Sequence, residues 1–292
     1  MAVGSQISVF RSLESETSYS QAYSAALKLW PIPYEEIFVP TRFGNTHVIA
    51  SGPANADPLV LLHPAGCGAT IWFRNVCAFA QRFRTYAVDT IGEVNLSVLT
   101  RPVQSRQEFA DWIVDLFAGL QIDKADIVGN SFGGFLTLNT ALYLPDRVKH
   151  IVLISPAATF VQMWPWIWHF FPAYMSGSKR LLKSAYDWIW QGFPIDPCIA
   201  QLRAITSISG VPHHVAPSIY KDGELRSIKA PTLLLIGDHE VIYRKEKAFH
   251  RAMRLIPHLK TDVVPNANHN AEYTAAGHVN QTVLAFLTTC HD

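Results

Sequence analysis

Short apolar runs alternate along this chain with longer segments of helical pattern. Most of the runs are continuous rather than interrupted by polar residues, which is typical of strands buried on both faces of a parallel sheet. The runs cover residues 59–63, 85–89, 125–130, 150–155, 232–237 and 261–264, and candidate helices lie near 70–82, 105–119, 132–144, 244–255 and 277–289. This alternation predicts an α/β protein with a mostly parallel, doubly wound sheet.

Two segments before the first of these runs have a different pattern. Residues 14–29 resemble a helix that ends before Pro31. Residues 36–39 and 46–50 then flank the turn sequence Phe43-Gly44-Asn45, which predicts a β-hairpin. We therefore expect an N-terminal helical extension over residues 1–34 and an α/β core over residues 35–155 and 230–292.

An insertion interrupts the alternation after the sixth predicted strand. A crossover between parallel strands needs about a dozen residues, whereas residues 156–229 separate this strand from the next one. The segment predicts a helical cap over the sheet, and we expect Trp164, Trp168 and Phe171 to line a substrate pocket. Most of its aromatic side chains would serve to attach the cap to the core. They are Trp164, Trp166, Trp168, Phe170, Phe171, Tyr174, Trp188, Trp190 and Phe193.

Composition excludes several classes of protein. With 49% hydrophobic and 16% charged residues among 292, the chain has ample material for a core. A formal net charge of +1 without a basic stripe argues against nucleic-acid binding. The four cysteines, Cys67, Cys77, Cys198 and Cys290, stand far apart. That spacing suits neither a disulfide scaffold nor zinc, so we expect buried free thiols and no metal.

The distribution of apolar residues also bears on where in the cell the protein is found. Residues 1–6 lack a basic region followed by an apolar run, and the apolar stretch 161–174 contains two prolines and is too short to span a bilayer. We expect a cytoplasmic protein without a signal peptide or membrane partner. Monomer and homodimer both stay open.

The sharpest motif is Gly129-Asn130-Ser131-Phe132-Gly133, which follows one predicted strand and precedes a predicted helix. A turn tight enough to raise Ser131 above the sheet crowds positions 129 and 133, where only small residues fit. The hydroxyl of Ser131 then lies at a helix N-terminus, where developing negative charge is favoured. The motif predicts Ser131 as a nucleophile.

A serine needs a base to become a useful nucleophile. Among twelve histidines, His269 is best placed, on a loop after the last predicted strand. His278 is the competitor, but it falls in the start of a helix. The adjacent His213 and His214 lie in a loop between prolines, and we interpret them as surface residues.

The base in turn needs an acid that fixes its tautomer. The strand 232–237 is followed by Asp238-His239-Glu240. Glu240 is the fourth residue of a G-x-x-[DE] turn and is the predicted acid. Asp238 is the alternative, with turn or helix capping as its structural role.

Two backbone amides are expected to bind the oxyanion. One belongs to Phe132, directly after the nucleophile. The other belongs to Ala65, in the loop His63-Pro64-Ala65-Gly66, since Pro64 has no N–H. His63 is expected to brace this loop without transferring protons. Pro64 should stiffen the loop, and our hypothesis is that it misaims the Ala65 amide slightly, so that Pro64→Gly would raise kcat. The alternative is that the loop tolerates proline because it is already extended there.

Together these motifs resemble the α/β-hydrolase fold of serine esterases, in the order Ser131, Glu240, His269. The closer resemblance is to bacterial carboxylesterases of the naproxen-esterase type. Residues 29–31, 41–53, 58–63, 84–89 and 235–243 support it. The resemblance departs at Pro64, where that family usually has glycine, and at Phe132, where it has smaller or aliphatic residues.

The resemblance implies a cofactor-independent enzyme that hydrolyses small-molecule carboxylic esters through an acyl-enzyme. The same catalytic groups would also serve a lactonase, thioesterase, amidase, C–C hydrolase or perhydrolase, because a fold does not fix the substrate. A weakly catalytic ligand-binding sensor is the alternative from another class.

Overall fold

The computed structural model describes residues 6–176 and 178–289. Its centre is one sheet, and the predicted parallel α/β architecture is confirmed. The strands found in the described residues are β1 (Tyr34–Thr41), β2 (Gly44–Ser51), β3 (Asp57–Leu62), β4 (Phe83–Val88), β5 (Val98–Leu99), β6 (Ala125–Asn130), β7 (Val148–Ile154), β8 (Thr232–Gly237) and β9 (Leu259–Val264).

The order of strands across the sheet is β1-β2-β4-β3-β6-β7-β8-β9, and the short β5 pairs with β2. Strands β1 and β2 form the predicted antiparallel hairpin, and β2 is also antiparallel to β4. From β4 to β9 every neighbouring pair is parallel. The carboxyl ends of these parallel strands therefore lie along one edge, where open α/β sheets bind ligands.

The central strands are covered on both faces. Every residue of β6 and of β8 is buried, as continuous apolar runs predict. Some helices cover the sheet and others belong to the insertion. In chain order they are α1 (Leu13–Leu27), α2 (Val76–Phe79), α3 (Arg106–Gly119), α4 (Phe132–Tyr143), α5 (Trp164–Ser176), α6 (Lys179–Trp190), α7 (Pro197–Ser209), α8 (Asp222–Arg226), α9 (Lys245–Leu255), α10 (Ala271–Thr274) and α11 (Ala276–Thr289). Among these helices none is long and apolar enough to cross a membrane.

Side-chain caps account for several helix starts. The hydroxyl of Ser105 accepts from the amide of Glu108 at 3.1 Å at the start of α3. The carboxylate of Asp196 accepts from the amide of Cys198 at 2.8 Å, with Pro197 as the first residue of α7. Both arrangements satisfy first-turn amides that have no partner within the helix.

The insertion follows β7, the same strand that the sequence predicts as the sixth, and only the count differs. The difference is the two-residue β5, which is too short to produce a recognisable apolar run. Residues 156–229 hold α5, α6, α7 and α8. The N-terminal segment reaches α7, since the amide of Arg11 donates to the carbonyl of Ser209 at 2.8 Å. The division into extension, core and cap stays a prediction.

The cysteines differ from their predicted environment. Cys67, Cys77 and Cys198 are free, but only Cys67 is fully buried, whereas Cys77 is exposed and Cys198 is half-buried. Cys77 lies on the outward side of the short helix α2, where the packing of Val76 and Phe79 leaves it facing solvent. Cys290 lies outside the described residues.

Candidate active site

Ser131 occupies a strained turn between β6 and α4. Its φ of 52° and ψ of −111° are rare for a residue with a side chain. A Cβ at position 129 would lie 2.2 Å from the carbonyl oxygen of Gly133, and one at position 133 would lie 2.0 Å from that of Leu62. Only glycine permits this approach at both places. The turn thus presents the hydroxyl of Ser131 at the carboxyl edge of the sheet.

Ser131, His269 and Glu240 form one hydrogen-bonded chain. The hydroxyl of Ser131 lies 2.8 Å from Nε2 of His269, and Nδ1 of His269 lies 2.7 Å from Oε2 of Glu240. The second carboxylate oxygen of Glu240 accepts from the amide of Ile242 at 2.8 Å. The Glu240 side chain is fully buried. With its Nδ1 proton held by Glu240, His269 presents the free Nε2 lone pair to Ser131, as a general base requires.

Asp238 has a different position from Glu240. Its two carboxylate oxygens accept from the amides of Asn266 and Ala267, each at 2.9 Å. Partial burial opposes ionisation, but these amides outweigh it and hold the pKa of Asp238 below its usual range. Asp238 therefore anchors the loop that carries His269 and has no direct contact with the imidazole.

The loop after β3 forms a tight turn over residues 64–67. The amide of Cys67 donates to the carbonyl of Pro64 at 3.3 Å, and Gly66 supplies the positive φ of 69°. Nδ1 of His63 donates to the same carbonyl at 2.8 Å, while its Nε2 accepts from the amide of Thr90 at 3.0 Å. Both nitrogens of His63 are occupied by backbone groups, so this side chain braces the loop.

The amides of Ala65 and Phe132 are available for a ligand. Within residues 6–176 and 178–289 neither amide donates to a protein acceptor. One lies in the loop after β3 and the other at the first residue of α4, beside Ser131. Their role as the two oxyanion donors stays a prediction.

Glu93 and His214 form a buried ion pair beside this loop. Oε1 of Glu93 lies 2.6 Å from Nε2 of His214, and Oε2 accepts from the amide of Gly66 at 3.1 Å. Nδ1 of His214 donates to the carbonyl of Val215 at 2.9 Å, so both ring nitrogens face acceptors. Burial alone would lower the pKa of His214, but Glu93 outweighs it and raises that pKa. Burial likewise opposes the charge of Glu93, yet His214 holds its pKa below the usual range.

The prediction of His214 as a surface residue is therefore wrong. Its side chain is 8% exposed, and its ring stacks on Phe132 with 4.6 Å between the ring centroids. The amide of the neighbouring His213 donates to the carbonyl of Gly92 at 2.8 Å and fixes this segment. Residue pattern alone does not distinguish such a segment from a surface loop. The rival base, His278, pairs with Asp262 at 2.7 Å and has no contact with Ser131.

A cavity of about 140 Å³ opens above Ser131 and His269. From the insertion, Trp166 and Phe170 of α5, Tyr186 of α6 and Arg203 of α7 line it. The predicted pocket residues lie elsewhere, since Trp164, Trp168 and Phe171 are 58%, 71% and 59% exposed. At 3.6 residues per turn they share the outer face of α5, opposite Trp166 and Phe170. The sequence prediction chose the wrong face of this helix.

Behind the serine lies a buried polar cluster. The side-chain amide of Asn130 donates to the carboxyl of Glu272, which is fully buried. Burial raises the pKa of Glu272 to about 8. Oε1 of Glu272 and Nδ2 of Asn270 have no partner within the described chain. The described residues also contain no group of three His, Cys, Asp or Glu side chains that could hold a metal ion.

Comparison with known proteins places this geometry in a family. The model of the alpha/beta hydrolase family matches residues 59–278. Carboxylesterase YbfK of Bacillus subtilis (strain 168) is 37% identical over 287 residues, which cover 95% of this chain and 96% of that protein. An uncharacterised carboxylesterase, nap, of the same organism is 36% identical and covers 92% and 91% of the two chains.

Solved structures agree with these sequence matches. The crystal structure of carboxylesterase CesB (YbfK) from Bacillus subtilis superposes with a TM-score of 0.88 at 36% identity and covers 94% of this chain and 99% of that one. The crystal structure of naproxen esterase from Bacillus subtilis superposes with a TM-score of 0.87 at 36% identity and covers 95% and 99%.

Proposed function

The chain belongs to the alpha/beta hydrolase family, and from this premise we propose that it is a serine carboxylesterase that cleaves small-molecule carboxylic esters. The observation that carries the proposal is the hydrogen-bonded chain from Ser131 through His269 to Glu240. The names of the Bacillus subtilis relatives support the same activity.

The first half of the reaction forms an acyl-enzyme. The oxygen of Ser131 bonds to the ester carbonyl carbon while its proton passes to Nε2 of His269. Glu240 stabilises the imidazolium that results. The amides of Ala65 and Phe132 donate to the oxyanion, which exists only in the transition state and the tetrahedral intermediate. Collapse breaks the bond to the alcohol oxygen, and the alcohol leaves with the proton from His269.

The second half returns the enzyme to its starting state. Water attacks the acyl carbon and gives a proton to His269. The new tetrahedral intermediate collapses, the bond to the oxygen of Ser131 breaks, and the carboxylic acid leaves. The proton then returns from His269 to Ser131. No cofactor takes part in any step of this scheme.

Steady-state hydrolysis of p-nitrophenyl butyrate tests the proposal. We expect turnover by the wild-type protein and a loss of several orders of magnitude in Ser131→Ala. Ser155→Ala is the matched control, because Ser155 also follows a parallel strand with a positive φ of 41°, while the two ring nitrogens of His269 lie against Ser131 and Glu240. No turnover by the wild type would favour a ligand-binding sensor, and a Ser131→Ala variant as active as Ser155→Ala would refute Ser131 as the nucleophile.

We also propose the partners, cellular location and oligomeric state of the protein. The substrate is a small molecule, and the formal charge of +1 gives no reason to expect a nucleic-acid partner. Three free cysteines among the described residues fit a reducing cytoplasm. We expect a monomer or a homodimer, which size-exclusion chromatography with light scattering distinguishes.

A further inference from the structure

Arg203 lies in the wall of the active-site cavity. It belongs to α7, whose other buried residues are Ile199, Leu202, Thr206 and Ser209. The residue is 7% exposed. Its guanidinium lies 5.3 Å from the ring centroid of Tyr186 and 4.7 Å from that of Trp190. These rings and the helix hold a flat cation at one place beside the cavity.

The guanidinium has unused hydrogen-bond donors. Nε and Nη1 of Arg203 are buried and have no acceptor within the described chain. Arginine stays charged at any pH that a folded protein tolerates, so its charge cannot be relieved by losing a proton. Burying a charge without a hydrogen-bonded partner is costly. The buried guanidinium therefore points to an anionic ligand that accepts these hydrogen bonds and balances the charge.

Neighbouring acids leave this charge uncompensated. The charge of Arg203 acts on the buried acid Glu272 and lowers its pKa, but burial outweighs this effect and raises that pKa to about 8, above neutral pH. Glu93 lines the same cavity, but its two oxygens are taken by His214 and the amide of Gly66. Arg203 therefore places a positive charge without a carboxylate partner among the described residues in the wall of the cavity next to Ser131.

A second, larger cavity meets the first at this residue. It has a volume of about 540 Å³ and lies between α6 and α7, with a lining that is mostly apolar. Tyr186, Arg203 and Ser207 line both this cavity and the one above Ser131. Arg203 therefore borders both cavities: a ligand held at Ser131 shares a cavity with this guanidinium, and a mostly apolar cavity lies next to it.

We propose that Arg203 binds a carboxylate of the substrate, so that the enzyme prefers esters that carry a second, free carboxylate. The planar fork of a guanidinium matches a carboxylate through two parallel hydrogen bonds, which gives both affinity and orientation. This inference rests on the proposed esterase function. The carboxylate belongs to either the acyl or the alcohol part of the ester, and both parts would meet the same chemistry at Arg203.

Matched pairs of esters test this preference and separate the two sources of the carboxylate. Mono-4-nitrophenyl glutarate against 4-nitrophenyl pentanoate probes the acyl side, and 4-acetoxybenzoate against 4-acetoxybenzamide probes the alcohol side. In the wild type we expect kcat/KM for the anionic ester to exceed that for its neutral partner at least tenfold in one pair, the scale of a hydrogen bond to a charged group. Arg203→Met should lower this ratio at least tenfold, and Arg203→Lys should lower it less.

Arg180→Met provides the control, since it removes the same charge from an exposed position on α6 and should leave the ratio unchanged. If Arg203→Met fails to fold, competitive inhibition of the wild type decides: 4-phenylbutyrate should inhibit at least tenfold more strongly than 4-phenylbutyramide. Equal rates within both ester pairs, or equal inhibition by the two compounds, would overturn the inference. Hydrolysis of the neutral esters that depends on Ser131 would in that case still support the esterase function.

Discussion

Replacing Glu240 by glutamine should lower kcat by about four orders of magnitude, as loss of the acid does in enzymes of this kind. The imidazolium that forms when His269 takes the proton of Ser131 lies against a carboxylate at 2.7 Å, and both side chains are almost completely buried. Two unit charges about 4 Å apart attract each other by about 4 kcal/mol at an effective dielectric constant of 20, which is about a thousandfold in rate. Loss of the correct His269 tautomer accounts for the remaining factor.

Asp238→Asn is the matched comparison, since it makes the same chemical change two residues earlier in the same loop. Its carboxylate accepts from the amides of Asn266 and Ala267, and its side chain is 36% exposed. After solvent screening, weakening these bonds should cost about 1 kcal/mol of stability. We expect Tm to fall by about 2–4 °C and kcat to fall by less than about tenfold.

Steady-state kinetics with p-nitrophenyl butyrate on both variants, with circular dichroism to verify folding, measures the difference directly. We expect Glu240→Gln to lose far more kcat than Asp238→Asn. A reversed order would make Asp238 the acid. More than about one per cent of residual activity in a folded Glu240→Gln variant would show that the buried carboxylate does not support the imidazolium.

Three further perturbations follow from the site. Glu93→Gln should lower kcat about tenfold with little change in KM, because it weakens the support of Gly66 beside the oxyanion loop; a change confined to KM would contradict this. Glu272→Gln should have a higher Tm than wild type, and this difference should grow between pH 5 and pH 8. The reason is that the native carboxyl has a pKa of about 8 and keeps a proton that the same carboxyl loses in the unfolded chain, where its pKa is about 4.3. A difference in Tm that does not change with pH would refute the raised pKa. Pro64→Gly should not raise kcat, since Gly66 already supplies the positive φ of the turn, and a severalfold gain would show that the loop needs glycine at 64.

The fold could be predicted because its signals are local. Buried parallel strands produce continuous apolar runs, and the steric limits of the turn at Ser131 fix glycine on both sides of it. The positions of Glu240 and His269 follow from the topology, because each is on a loop after a parallel strand and those loops meet at one edge. Sequence spacing alone left Asp238 and Glu240 as candidates for the acid, and only the directions of their carboxylates distinguish them.

The features of the site that the sequence did not predict depend on contacts between distant segments. Glu93 and His214 are separated by 121 residues, and nothing near either one indicates the other. Which side of α5 faces the core depends on how the helix is rotated about its axis. The sequence does not specify this rotation, because aromatic residues lie on all sides of the helix. A signal for Arg203 did exist, since it is a charged residue on the otherwise apolar or small stripe of α7.

Covalent labelling with a fluorophosphonate tests most directly whether Ser131 is the activated nucleophile. The phosphorus forms a bond to the serine oxygen and loses fluoride, which requires the base at His269. We predict complete inactivation at one label per chain, a mass increase on the peptide that contains Ser131, and no labelling of His269→Ala on the same time scale. A label on any other residue, or inactivation without a label on Ser131, would contradict the account.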